Sequence, residues 1–100
     1  MRVELRDDAR DDLVEAAWFY RRQSVGLDEY FLQCLGEDLR KLQTTFGVHE
    51  RRHGFHRKLS DRFPFAIYYQ LEDGFVDFVA ILDCRSHPDS TDARLGRIKP

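Results

Sequence analysis

Two cysteines, three prolines and one tryptophan in 100 residues leave this chain few residues to staple, kink or anchor it. Cys34 and Cys84 both fall at apolar positions of predicted elements, so reduced core thiols are expected and a disulfide framework is not. No apolar run approaches the roughly 20 residues that cross a bilayer, and the charged amino terminus lacks a leader's hydrophobic stretch. No membrane partner is expected, and the expected location is the cytoplasm. Positive charge is not in surplus either. The net charge is −2, whereas a protein whose main task is to grip nucleic-acid backbone normally carries a basic excess, so direct nucleic-acid binding is not expected. Ser24, Ser60, Ser86 and Ser90 lack a G-x-S-x-G elbow, neither cysteine has a catalytic flank, and there is no phosphate-binding glycine loop. His49, His53 and His56 give half of a zinc-ligand spacing, but no cysteine lies nearby and Gly54 interrupts any helix that would present them together. Neither a metal nor a cofactor is expected.

What the chain does have is apolar β-structure. Residues 1–100 suit a single domain, because a chain of this size buries roughly 65% of the surface its unfolded form exposes. The centre is the stretch from Gly54 to Arg85, in which FPFAIYYQL and FVDFVAIL flank Glu72-Asp73-Gly74. Asp-Gly between two such runs predicts a tight hairpin, because glycine accepts the positive φ the turn requires. A shorter basic segment leads in, so the stretch reads as a three-strand antiparallel meander. From Phe63 to Leu71 the odd positions make one apolar face. After Gly74 both faces are apolar, with Val76, Phe78, Ala80, Leu82 and Cys84 on one and Phe75, Val79 and Ile81 on the other. A strand apolar on both sides belongs inside its sheet.

The amino-terminal half supplies a fourth strand and two helices. Arg2 to Arg6 alternates as a short strand with Val3 and Leu5 inward. Ala9, Leu13, Ala16, Ala17 and Tyr20 form one helical stripe, with Asp7 or Asp8 as cap and Arg21 and Arg22 closing the last turn. Asp28 is the expected cap of a second helix carrying Phe31, Leu35, Leu39, Leu42 and Phe46, with Leu27 as a staple outside it and Gly47 as its stop. So short a link folds the two helices into an antiparallel hairpin. Trp18, Phe19 and Tyr30 lie off the stripes, and packing between elements is the reading adopted for them over partial exposure. The order β-α-α-β-β-β predicts an α+β fold, with the helical hairpin packed on one face of a mostly antiparallel four-stranded sheet and the other face more open. Residues from about 86 to 100 are expected to form a loosely ordered tail.

The basic residues are the remaining candidates for chemistry. Arg57 and Lys58 fall on the second strand, Arg62 at the next turn, Arg85 at the end of the fourth strand and His87 just beyond. An antiparallel meander brings the last three to one edge. An imidazole beside guanidinium donors is what cleavage of RNA by its own 2′-hydroxyl needs, but rim charge paired with Asp61, Asp73 or Asp83 is the preferred reading.

The element order, together with RFPFAIYYQLEDGFVDFVAILDCRSHPD, resembles the ParE/RelE superfamily of toxins from bacterial type II toxin–antitoxin pairs. Helix one is similar to the family's segment in Ala9-Arg10-Asp11-Asp12-Leu13 through Tyr20, and helix two in Gly26-Leu27, Phe31 and Leu39. The run from Phe63 to Tyr69 resembles the ParE-like branch in particular, and Pro64 there favours an extended Phe63. The resemblance implies one of two targets. RelE-like members cut messenger RNA on the ribosome, and ParE-like members inhibit DNA gyrase. Carried over residue by residue, Lys58 matches one strand-two lysine, His56 stands in place of another, and Arg85 matches the arginine after strand four; some relatives have a histidine at His87. The strand-three arginine falls on Ala66, and Thr91 lies near the place of the carboxy-terminal tyrosine. Those departures remove a phosphate clamp and a base-stacking ring, so the expected activity is ParE-like gyrase inhibition without catalysis. The alternatives are a RelE-like ribonuclease using Lys58, Arg62, Arg85 and His87, or a non-toxic binding or regulatory member. The resemblance further implies a cognate antitoxin that wraps the toxin with a helix and strand, and a toxin dimer or toxin–antitoxin hetero-oligomer. Arg57, Lys58, Arg62, Arg85 and His87 are the target- or partner-binding candidates.

Overall fold

The Asp73-Gly74 turn sets the register of the molecule. In the computed structural model, which describes residues 2–98, Gly74 has φ +85° and Glu72 pairs with Phe75, so β4 (Phe65–Glu72) and β5 (Phe75–Asp83) form the expected hairpin. Antiparallel pairing continues through β3 (Phe55–Leu59) to a two-residue β2 (Arg51–Arg52), and β1 (Arg2–Leu5) joins the far side of β5 in parallel. The sheet therefore has five strands in the order β1-β5-β4-β3-β2, one more than expected, because the basic lead-in folds on itself at His53-Gly54. The doubly apolar β5 lies between β1 and β4, as its two apolar faces require.

Strict alternation along β5 does not hold. Tyr68 pairs with Ala80 but Tyr69 pairs with Phe78, which leaves Val79 as an extra residue. This bulge turns the remainder of the strand over. Val76, Phe78 and Ile81 consequently share the face toward the helices, while Val79, Ala80 and Leu82 belong to the other. Pro64 has no N–H to give a ladder, so β4 starts at Phe65, and the Pro64 carbonyl instead accepts the Cys84 N–H at 2.8 Å.

Helices α1 (Asp7–Gln23) and α2 (Leu27–Thr45) cover the first face through the expected stripes. Ala16, Tyr20, Phe31, Leu35 and Leu42 pack on Phe65, Ile67 and Tyr69, each large apolar side chain contributing about 1.5–3 kcal/mol by burial. Neither cap is the expected one. Arg6 precedes α1 without a side-chain cap, and Asp7 and Asp8 lie in the first turn, where they oppose the dipole. Gly26, at φ +84°, turns the chain directly into Leu27, so α2 begins one residue before Asp28. Trp18, Phe19 and Tyr30 are not packed away: Phe19 and Tyr30 rest against Tyr20 and Phe63 at the edge of the core, and Trp18 is 53% exposed.

The tail is a further difference. Pro88 to Gly96 forms α3, with Leu95 buried in a second apolar cluster made by Phe55, Ala66, Tyr68, Val79 and Ala80. Pro88 at the helix start and the His87 side chain, which accepts the Asp89 N–H at 3.1 Å, are the start signals that a composition-based reading passes over. Helix α3 thus covers part of the face expected to be open. The last two residues of the expected tail, 99–100, lie outside the described residues. Of the two thiols, Cys34 is buried as expected, while Cys84 lies beyond the end of β5 and is exposed.

Candidate functional site

Each of the cations singled out in the sequence has its own partner. Side chains alternate along β3, so Arg57 points to the α3 side, where its Nε donates to Tyr68 Oη at 3.1 Å and its Nη2 lies 3.9 Å from Cys84 Sγ. Lys58 points to the helical-hairpin side. Its Nζ donates to the Leu59 carbonyl at 3.0 Å and to Asp61 at 3.3 Å, and Asp61 also binds Lys41 at 3.0 Å. The Lys41 hydrogen bond and the Lys58 charge hold the Asp61 carboxyl below its usual range. Arg62 donates to Tyr30 Oη at 3.2 Å, bridging the β3–β4 turn to α2.

Arg85 folds back on its own strand end. Its guanidinium holds both oxygens of Asp83 at 2.9 and 2.8 Å, its N–H adds a third bond at 2.8 Å, and its charge lies 5.9 Å from the centre of the Phe19 ring. The same bonds keep the Asp83 carboxyl below the usual carboxylate range. His87 is taken up by the α3 cap. Arg62, Arg85 and His87 are thus engaged by α2, by the end of β5 and by α3 respectively. Of the three carboxylates expected as partners, Asp83 and Asp61 pair with candidates, and His87 Nδ1 lies 3.7 Å from Asp89.

Of the three histidines of the zinc-like spacing, two meet at Tyr69 and the third turns to α3. His49 bonds Tyr69, His56 reaches the His49 carbonyl, and His53 Nε2 lies 3.1 Å from Asp92 of α3. Among the described residues no group of three histidine, cysteine, aspartate or glutamate side chains is placed to hold a metal.

The structure adds a cleft that the sequence reading did not identify. β1 ends at Leu5, so beyond Phe78 no described strand pairs with the outer side of β5. There a cleft of about 410 Å³ opens between α1, β5 and α3, with Phe19, Phe65, Ile81 and Leu82 as apolar wall and Ser90 and Thr91 as rim. Asp12 crosses it. Its carboxylate accepts the Ile81 N–H at 3.0 Å and both Arg94 nitrogens at 2.7 and 2.9 Å. Burial nevertheless pushes the Asp12 carboxyl above its usual range, outweighing Arg94. The only sequence signal for this latch is Asp12 in the second turn of an acidic helix start and Arg94 one position from an apolar Leu95.

A second unfilled surface lies on the outside of the helical hairpin. Val14, Trp18 and Leu32 are half-exposed around a groove of about 160 Å³, and Arg21 lies 5.2 Å from the centre of the Trp18 ring. Among the described residues no helix is long and apolar enough to cross a membrane.

With this geometry in place, comparison with solved structures identifies the architecture. The chain is similar to a chain of a structure described as the chromosomal ParDE TA system from P. aeruginosa, at a TM-score of 0.67 and 19% identity, over 81% of this chain and 92% of that one. No family model matches the chain, and no curated protein matches it in sequence. The likeness is one of fold. The α+β, ParE-like architecture implied by the Phe63–Tyr69 segment is the architecture of this chain.

Proposed function

We propose that this chain is the toxin subunit of a type II toxin–antitoxin pair, that it acts by docking onto DNA gyrase, and that a small cognate antitoxin neutralises it. The observation that carries the reading is the likeness in fold, over 81% of the chain, to a component of a ParDE system. Two features of the surface support docking as its mode of action. Trp18, Phe19 and Tyr30 stand half-exposed on the helical hairpin, as aromatic anchors of an interface do. Each candidate cation, moreover, is already held by a separate carboxylate, phenol or helix cap, an arrangement suited to a binding rim.

The competing reading, a ribosome-dependent ribonuclease, is favoured by the presence of Arg85 and His87 within three residues of each other at the end of β5. Induced expression separates the two. Growth arrest with gyrase-trapped DNA breaks, relieved by co-expression of the product of a short neighbouring reading frame, supports the gyrase reading. Rapid messenger cleavage with intact DNA would select the nuclease, and unimpaired growth would select a non-toxic binding module.

A further inference from the structure

We infer that Tyr69 and His49 form a proton-operated clasp, which ties the connection between α2 and β2 to the sheet and lets go when His49 takes up a proton. This inference stands apart from the functional reading, because it rests on the donors and acceptors around one buried phenol. Tyr69 is fully buried on the helix side of β4. Its Oη accepts the Gly47 N–H at 3.0 Å and lies 2.6 Å from His49 Nδ1. In the clasp the hydroxyl accepts from Gly47 and gives its single proton to His49, which assigns Nδ1 as the unprotonated acceptor. The other imidazole has the opposite requirement. His56 Nδ1 lies 2.8 Å from the His49 carbonyl, which can only accept, so His56 carries its proton there while its ring stacks on Tyr69 at 5.0 Å. Three bonds and one stacked ring thus gather at residues 47–49, and Gly47, at φ +85°, leaves no slack for a side chain, since an added Cβ would lie 3.3 Å from Leu71 Cδ1.

A proton on His49 breaks this set. Nδ1–H would then point at a hydroxyl that already faces the Gly47 N–H, and the phenolic proton would have no acceptor in a buried site. The groups that face His49 make that proton unwelcome. Burial is the largest effect, followed by Lys58 and His56 from β3, and together they hold the imidazole below its usual value; Tyr69 of β4 is neutral, and Glu50 beside it is turned toward Arg52 at 3.1 Å. Because the folded-state value is lowered, the clasp's contribution is complete above the unfolded histidine's value of about 6.5 and is lost as pH falls through the folded value. Opening would free the α2–β2 connection and uncover Tyr69. His53 is paired with Asp92, and His87 caps α3.

The test is hydrogen exchange at the Gly47 amide, expressed as a protection factor from about pH 7.5 to about pH 4.5, with ring nitrogen shifts reporting the state of His49. The expected result is an unprotonated Nδ1 at the upper end and Gly47 protection falling about tenfold per pH unit once His49 titrates, while β4 and β5 amides stay protected. His49→Asn places a non-titrating acceptor near the phenol and should keep the protection but abolish the step, whereas His56→Asn should leave the step in place. Flat Gly47 protection through the titration of His49 would overturn the clasp. So would a step that survives in His49→Asn, or β4 and β5 amides losing protection together with Gly47.

Discussion

Arg94→Ala tests how α3 is held, and its cost can be worked from the latch geometry. The guanidinium makes two bonds to Asp12, at 2.7 and 2.9 Å, from side chains only 22% and 11% exposed. Removing one partner of a fully buried pair costs about 3–5 kcal/mol, and losing an exposed pair costs about 0–1 kcal/mol, so this intermediate site should lose about 2 kcal/mol. The pH dependence gives a sharper test than the magnitude. Burial already lifts the Asp12 carboxyl above its usual range, and without Arg94 it must rise further. A carboxyl raised in the folded state contributes most below its unfolded value of about 3.9, and that contribution is lost as pH rises through the folded value. The penalty of Arg94→Ala should therefore be greatest at neutral pH and shrink on acidification. Asp12→Asn added to Arg94→Ala should recover part of the loss at neutral pH, because a neutral amide oxygen still accepts the Ile81 N–H without needing a counterion. Urea unfolding between about pH 4 and pH 7.5, with hydrogen exchange of the α3 amides, measures both effects. A penalty below about 0.5 kcal/mol, or one that grows on acidification, would refute the reasoning, as would a double variant weaker than Arg94→Ala alone.

Three further outcomes follow from the same geometry. Leu95→Ala should cost about 2–5 kcal/mol in urea unfolding, because it empties the centre of the α3 cluster. Gly74→Ala should cost about 1–2 kcal/mol from backbone conformation alone, since φ is +85° and an added Cβ meets no atom within 4 Å; a neutral result would mean the turn adjusts freely. Arg85→Ala should change stability by less than about 1 kcal/mol, because it breaks an exposed pair. If the gyrase reading is right and Arg85 belongs to the docking rim, growth arrest should weaken without a matching shift in the unfolding midpoint.

The parts of the fold legible in the sequence are those in which local chemistry and global packing agree. The Asp73-Gly74 turn, the interior position of β5 and the two helical stripes each need only a short window, and the structure has them all. The bulge at Val79 was not legible, because the unbroken apolar run from Phe78 to Leu82 leaves no polar residue to mark where alternation slips. Helix α3 escaped for the opposite reason. Its single buried anchor, Leu95, and its ion pair to Asp12, 82 positions away, are tertiary events that turn-rich composition outweighs in any local reading. The candidate site fared similarly. Strand order correctly places Arg62, Arg85 and His87 near strand ends, but a nearby phenol, carboxylate or cap decides where each side chain goes.

These two departures are connected. The bulge brings Ala80 and Leu82 beside Val79 on the face away from the helical hairpin and sends Ile81 to the other face. Helix α3 is the element that covers the face away from the hairpin, by placing Leu95 there and Arg94 against Asp12. The early end of β1 then leaves Ile81 with no strand for its N–H, and Asp12 fills that role while also holding Arg94. One carboxylate thus serves a sheet edge and a helix at once. A strand laid along the outer side of β5 would compete with Asp12 for the Ile81 N–H, and so with the carboxylate that holds Arg94 of α3.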